Sequence, residues 1–187
     1  MKVKTEHQFA AALKAMMEEK PLDEISVISL CKKIRVNRQT FYYHFHDIYD
    51  LLTLVFLDEK IKDIDKTKTF KEMISCIFLY YKSNQKFLDA AISSAGKDLF
   101  LELLYNSCYQ SIMRFLGEYE ISKVIGNQSK KNIARFYASA YSNSLLYYFA
   151  NFKGITLNGL IDFFAFMEEP DLAANMQNLL KYHRNFK

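Results

Sequence analysis

Glycine and proline are scarce: five and two, respectively, in 187 residues. That is far too few for collagen-like or Pro-rich chains, or for the turn-dense all-β architectures. Five glycines also leave almost nothing from which to build a phosphate-cradling loop. No Gly-x-x-x-x-Gly-Lys, Gly-x-Gly-x-x-Gly or Gly-x-Ser-x-Gly run occurs, so the common nucleotide-binding and hydrolase motifs are missing. Tryptophan is absent, and the cysteines are only Cys31, Cys76 and Cys108. Being odd in number, far apart and set in apolar periodic segments, they read as reduced core thiols rather than a disulfide framework. A secretory leader is not expected, because Met1 to Glu6 alternates charge with apolar residues and has no apolar h-region. The longest uncharged stretch, between Arg135 and Lys153, is broken by Ser139, Ser142, Asn143, Ser144 and Asn151. It suits a buried helix better than a membrane span. A cytoplasmic protein with no membrane partner is the expectation.

Half of the residues are apolar, which is enough for a sizeable core, and the net charge of +4 is too small to identify a partner by itself. Helical spacing recurs along the chain. Phe9, Ala12, Leu13, Met16 and Met17 form one stripe after Thr5, a candidate N-cap. Val27, Leu30, Cys31 and Ile34 form a second after Ser26, and Phe41 and Phe45 belong to a third short helix after Asn37. Asp47 caps a longer fourth helix, predicted over 47–65 and using Ile48, Leu51, Leu52, Val55 and Phe56. Further helices are predicted at 70–83, 85–94, 97–118, 129–153, 157–168 and 170–184, separated at Asn84, Gly96, Gly126, Gly154 and Pro170.

Charge becomes informative when it is counted locally. Residues 1–46 carry eight positive and five negative side chains, and 47–68 carry four and six. From Ile25 to His46 there are Lys32, Lys33, Arg35 and Arg38 and no acid at all. Two short helices joined by a tight turn, the second capped by Asn37, have the geometry that lets a recognition helix enter the major groove. Arg38 and Gln39 would lie at its N-terminal end, where Arg can pair with guanine and Gln with adenine. Thr40, Tyr42 and His44 could donate to phosphate, while Phe41 and Phe45 would point inward onto Leu30 and Val27.

The runs Ile25-Ser26-Val27-Ile28-Ser29-Leu30, Val36-Asn37-Arg38-Gln39-Thr40-Phe41-Tyr42-Tyr43-His44-Phe45 and Asp50-Leu51-Leu52 resemble the DNA-binding domain of the TetR family. Within it they are similar to the subgroup of small regulators related to the dihydroxyacetone kinase operon activator. The resemblance implies an all-α fold, with a three-helix helix-turn-helix head over 1–46 and a larger helical effector and dimerisation domain over 47–187. It implies Arg38 and Gln39 at base-contacting positions, Thr40, Tyr42 and His44 at backbone-contacting positions and Asn37 at the cap. Tyr43 would fall between these sets, and Ser26 and Lys33 on the preceding helix complete the DNA-facing group. Two positions depart from the family pattern: Arg35 stands where the turn commonly has Gly, and Ile48 where a phosphate-touching Lys is common.

The aromatic-rich remainder suggests an effector pocket lined by Phe87, Phe100, Leu104, Cys108, Tyr141 and Leu145. For a homodimer, the resemblance points to 130–152 and 170–184. The small-residue stripe Ala134, Ala138 and Ser142, continued by Leu145, Tyr148 and Phe149, would let a partner helix approach closely. His44 and His46, two apart, point away from each other on a helix and lack accompanying ligands, so no metal is expected, and no cofactor or catalytic residue either. Two readings follow. One is an effector-responsive regulator, repression being the commoner family outcome and activation the subgroup's, which binds double-stranded DNA as a homodimer and answers to a small molecule or protein. The other is a protein-interaction module whose DNA head is weak or silent.

Overall fold

A computed structural model describes residues 2–118 and 126–164. Nine α-helices and no strand occur among them: α1 (Lys2–Met17), α2 (Val27–Ile34), α3 (Arg38–His44), α4 (Ile48–Asp58), α5 (Phe70–Ser83), α6 (Gln85–Ile92), α7 (Gly96–Glu118), α8 (Asn127–Asn151) and α9 (Leu157–Phe164). The all-α expectation holds, and most boundaries agree to within two residues. The helix expected at 170–184 lies outside the described residues.

The chain forms two packing units, each discontinuous in sequence. One holds residues 2–60 and 81–103, the other 61–80, 104–118 and 126–164. In the first, α1 packs on α2, α4 and α6, and α2 packs on α3. Its centre is aromatic. Phe9 meets Phe41 and Phe45 edge to face, with centroids 5.3 and 5.8 Å apart. Phe9 is thus the wall against which the third helix seats, a role the sequence pattern did not assign. Phe56 lies against Phe87 and Phe100. Gly96 opens α7 where a Cβ would stand 3.1 Å from both the Ala91 Cβ and the Leu52 Cδ2, so a larger residue would push the helix start off its neighbours.

Local chemistry accounts for the helix starts. Ser26 and Ser29 form a reciprocal capping box, and the side chains of Asn37 and Asp47 accept from the backbone N–H of Thr40 and Asp50. Thr5 is not a cap, because α1 already begins at Lys2.

The fourth helix is shorter than expected. It stops at Asp58, and Glu59 is extended and pairs with Lys14 of α1. The charge-rich stretch that follows offers no apolar stripe. A single 3-10 turn, Ile64–Lys66, forms there after Asp63 takes up a left-handed conformation. Within the second unit, Arg114 of α7 fastens this segment by donating to the carbonyls of Ile64 and Thr67 and to the Thr67 and Ser111 hydroxyls. The core of that unit collects Met73, Ile77, Phe115, Tyr141, Leu145 and Phe149.

Candidate nucleic-acid interface

Three side-chain caps in succession fix the short elements from Ser26 to Asp50, so their exposed residues stand on a rigid base. In α3, Phe41 is buried, as is Phe45 at its C-cap, which turns Arg38, Gln39, Tyr42 and Tyr43 outward. Tyr42 is 54% exposed and Tyr43 73%. Thr40 is half-buried and its hydroxyl donates to the cap oxygen of Asn37, which ties it to the helix start. Ser26 and Lys33 are both exposed, as are Lys32 and Arg35.

His44 does not have the orientation expected of a phosphate donor. Its side chain is only 5% exposed, and Nδ1 lies 3.1 Å from Glu6 Oε1 of α1. Position 44 follows Phe41 by three residues, so it shares the inward face rather than that of Tyr42 and Tyr43. It fastens the end of α3 to α1.

The two departures from the family pattern resolve differently. Arg35 does adopt the left-handed conformation, at φ 59° and ψ 47°, and its N–H donates to carbonyls of the last turn of α2 as a helix-ending residue. Ile48 is half-buried at the start of α4. The nearby acids are engaged locally: Asp47 caps α4, and Asp50 Oδ2 accepts from the His46 N–H at 3.0 Å. The start of α4 therefore already holds carboxylates where the family pattern has a phosphate contact. Sequence reasoning missed Ile28 and Tyr49, large apolar side chains that are both exposed on this capped segment. For Ile28 a signal was available, since it falls off the Val27, Leu30, Cys31 and Ile34 stripe.

The expected effector residues are distributed over the two units. Phe87 and Phe100 are core residues of the first, and Leu104, Cys108, Tyr141 and Leu145 are buried in the second. Burial pushes the Cys108 thiol up to about 12 and raises Tyr141 further, so both stay protonated. The expected dimer stripe requires correction. Ala134, Ala138, Ser142, Leu145 and Phe149 are all buried within their own chain and cannot meet a second copy. The opposite face of α8 is the one exposed, with Phe136 at 66%, Ala140, Asn143 and Tyr147 at 57%. Among the described residues no cluster of metal-ligating side chains occurs, and no helix is long and apolar enough to cross a membrane.

Comparison with known proteins bears on this geometry. The chain matches no curated protein sequence. Among solved structures it is similar to the dihydroxyacetone kinase operon activator DhaS, with a TM-score of 0.60 at 19% identity, covering 97% of this chain and 96% of that one. At that identity the likeness establishes the fold. The profile of a TetR-type transcriptional regulator C-terminal region matches residues 68–164, just over half of the chain. With a helix-turn-helix segment at one end and this region at the other, the chain belongs to the TetR family of transcriptional regulators.

Proposed function

We propose that the protein is an effector-responsive regulator that binds a pseudo-palindromic operator as a homodimer. The carrying observation is the outward face of α3, where Arg38, Gln39, Tyr42 and Tyr43 stand on a capped helix within a segment free of acids. Arg38 and Gln39 read base edges in the major groove. Tyr42, Lys33 and Ser26 contact phosphates, Asn37 holds the helix start, and Tyr43 serves either role. Two copies address half-sites one helical turn, about 34–36 Å, apart. Occupying the operator represses transcription. The neighbour's name records an activator, so a reporter that rises with the protein would reverse that sign.

The second copy is proposed to seat on the exposed row of α8. Phe136, Ala140, Asn143 and Tyr147 recur at helical spacing, and apolar side chains this exposed are what an interface covers.

The test is a fluorescence-anisotropy titration of the full chain against the DNA upstream of its own gene, across a salt series. Affinity is expected to fall steeply with salt, with a log–log slope set by the phosphates contacted. Arg38→Ala and Gln39→Ala should each cost about 1–3 kcal/mol at single operator positions, and Tyr42→Ala should weaken every sequence alike. Uniform losses for all three would contradict the assigned roles. No specific binding at low salt would leave the interaction-module reading, with the α8 row as its docking face.

A further inference from the structure

Among the described residues, one buried side-chain polar atom has no hydrogen-bond partner: the hydroxyl of Tyr141. The residue is fully buried on α8, inside the second unit. Its ring stacks on Phe70 of α5 with centroids 5.2 Å apart, and Phe164 of α9 lies 5.0 Å away. The Cys108 thiol of α7 and the Tyr137 hydroxyl are near enough to influence its ionisation. The unit fills comparable volume with phenylalanine at Phe70, Phe115 and Phe149. A phenylalanine at 141 would fill the same space, and the orphan hydroxyl costs stability that a phenyl ring would not. Such a group in a core calls for an explanation, and a bound molecule that accepts its hydrogen bond supplies one.

We propose that the Tyr141 hydroxyl is the polar anchor of the effector site, and that the effector is a small uncharged molecule with an apolar body and one carbonyl oxygen. This rests on the effector-responsive reading above. The carbonyl accepts the Tyr141 O–H, while the ring faces of Phe70 and Phe164 and the Cys108 sulfur surround the apolar body. A neutral ligand suits the described residues here: the buried polar ones are Thr67, Ser111 and Ser142, and the nearby Arg114 guanidinium is already committed to the Ile64 and Thr67 carbonyls and the Thr67 and Ser111 hydroxyls. Burial keeps the Cys108 thiol protonated, so it lines the site and does not attack the carbonyl.

The test uses the full chain and three probes: acetophenone, isopropylbenzene of the same shape without the acceptor, and benzoate with a charge. Calorimetric titration should show acetophenone binding the wild type about tenfold tighter than it binds Tyr141→Phe. Isopropylbenzene should bind both alike, and benzoate neither. Without ligand, Tyr141→Phe should melt a few degrees higher, since the orphan hydroxyl is gone. Equal acetophenone affinity in the two proteins, no acetophenone binding to the wild type, or a lower melting temperature for Tyr141→Phe would each overturn the proposal. Specific DNA binding by the same preparation decides the regulator reading separately, so loss of one does not imply loss of the other.

Discussion

Arg35 combines two properties that ordinarily exclude each other, a bulky charged side chain and a left-handed backbone. The β-carbon of an L-residue crowds the following carbonyl in that region, at a cost of about 1–2 kcal/mol. The helix nevertheless ends well, because the Arg35 N–H and that of Val36 reach back to carbonyls of α2. Arg35→Gly should therefore keep the turn and raise stability by about 1 kcal/mol, read from the urea midpoint. A fall would mean that the side chain contributes more to the fold than the strain removes. His44 teaches the complementary lesson. In the aromatic run Phe41 to Phe45 the sequence marks which residues are polar, but the helical angle and the partner waiting on α1 decide which of them reach solvent. Glu6 lies 38 positions away in the chain, so no local pattern announces that pairing.

Among the elements, the helices with a one-sided apolar stripe and a good cap were legible from spacing alone, and α2, α3 and α4 all begin where Ser26, Asn37 and Asp47 predict. The segment after Asp58 was not, because contacts from Arg114 far along the chain shape it rather than any stripe of its own. For α8 the period was right and the face wrong. Ala134, Ala138 and Ser142 do permit close approach, but small residues four apart serve an intrachain neighbour as well as a partner subunit, and here they lie in the core. The two faces of α8 should consequently respond in opposite ways. Phe136→Glu on the exposed row should leave the helical circular dichroism at about 20 °C unchanged and shift the sedimenting species from dimer to monomer. Ala138→Glu places a carboxylate in the core and should unfold the protein. A dimer that survives both Phe136→Glu and Tyr147→Glu would place the interface elsewhere.

At the scale of the whole molecule, both units bury weakly acidic groups in the protonated form. Burial, together with the Asp89 carboxylate that accepts its hydrogen bond, raises Tyr81 in the first unit. In the second, burial raises Tyr137, Tyr141 and Cys108, the thiol from 9.0 to about 12. The folded-state values exceed the unfolded ones, so the stabilisation is complete below the unfolded thiol value of 9.0. As the pH rises past that point the unfolded chain releases protons that the folded chain keeps, and stability falls until the folded groups titrate in turn. The urea midpoint should therefore drop substantially between about pH 8 and about pH 11, with both units losing stability over the same range. Absorbance of tyrosinate should show Tyr81, Tyr137 and Tyr141 ionising only as the helical circular dichroism is lost. Tyr141→Phe should shrink the alkaline loss, because one of the groups that drives it is gone. A urea midpoint that stays flat across this range would contradict the burial of these groups.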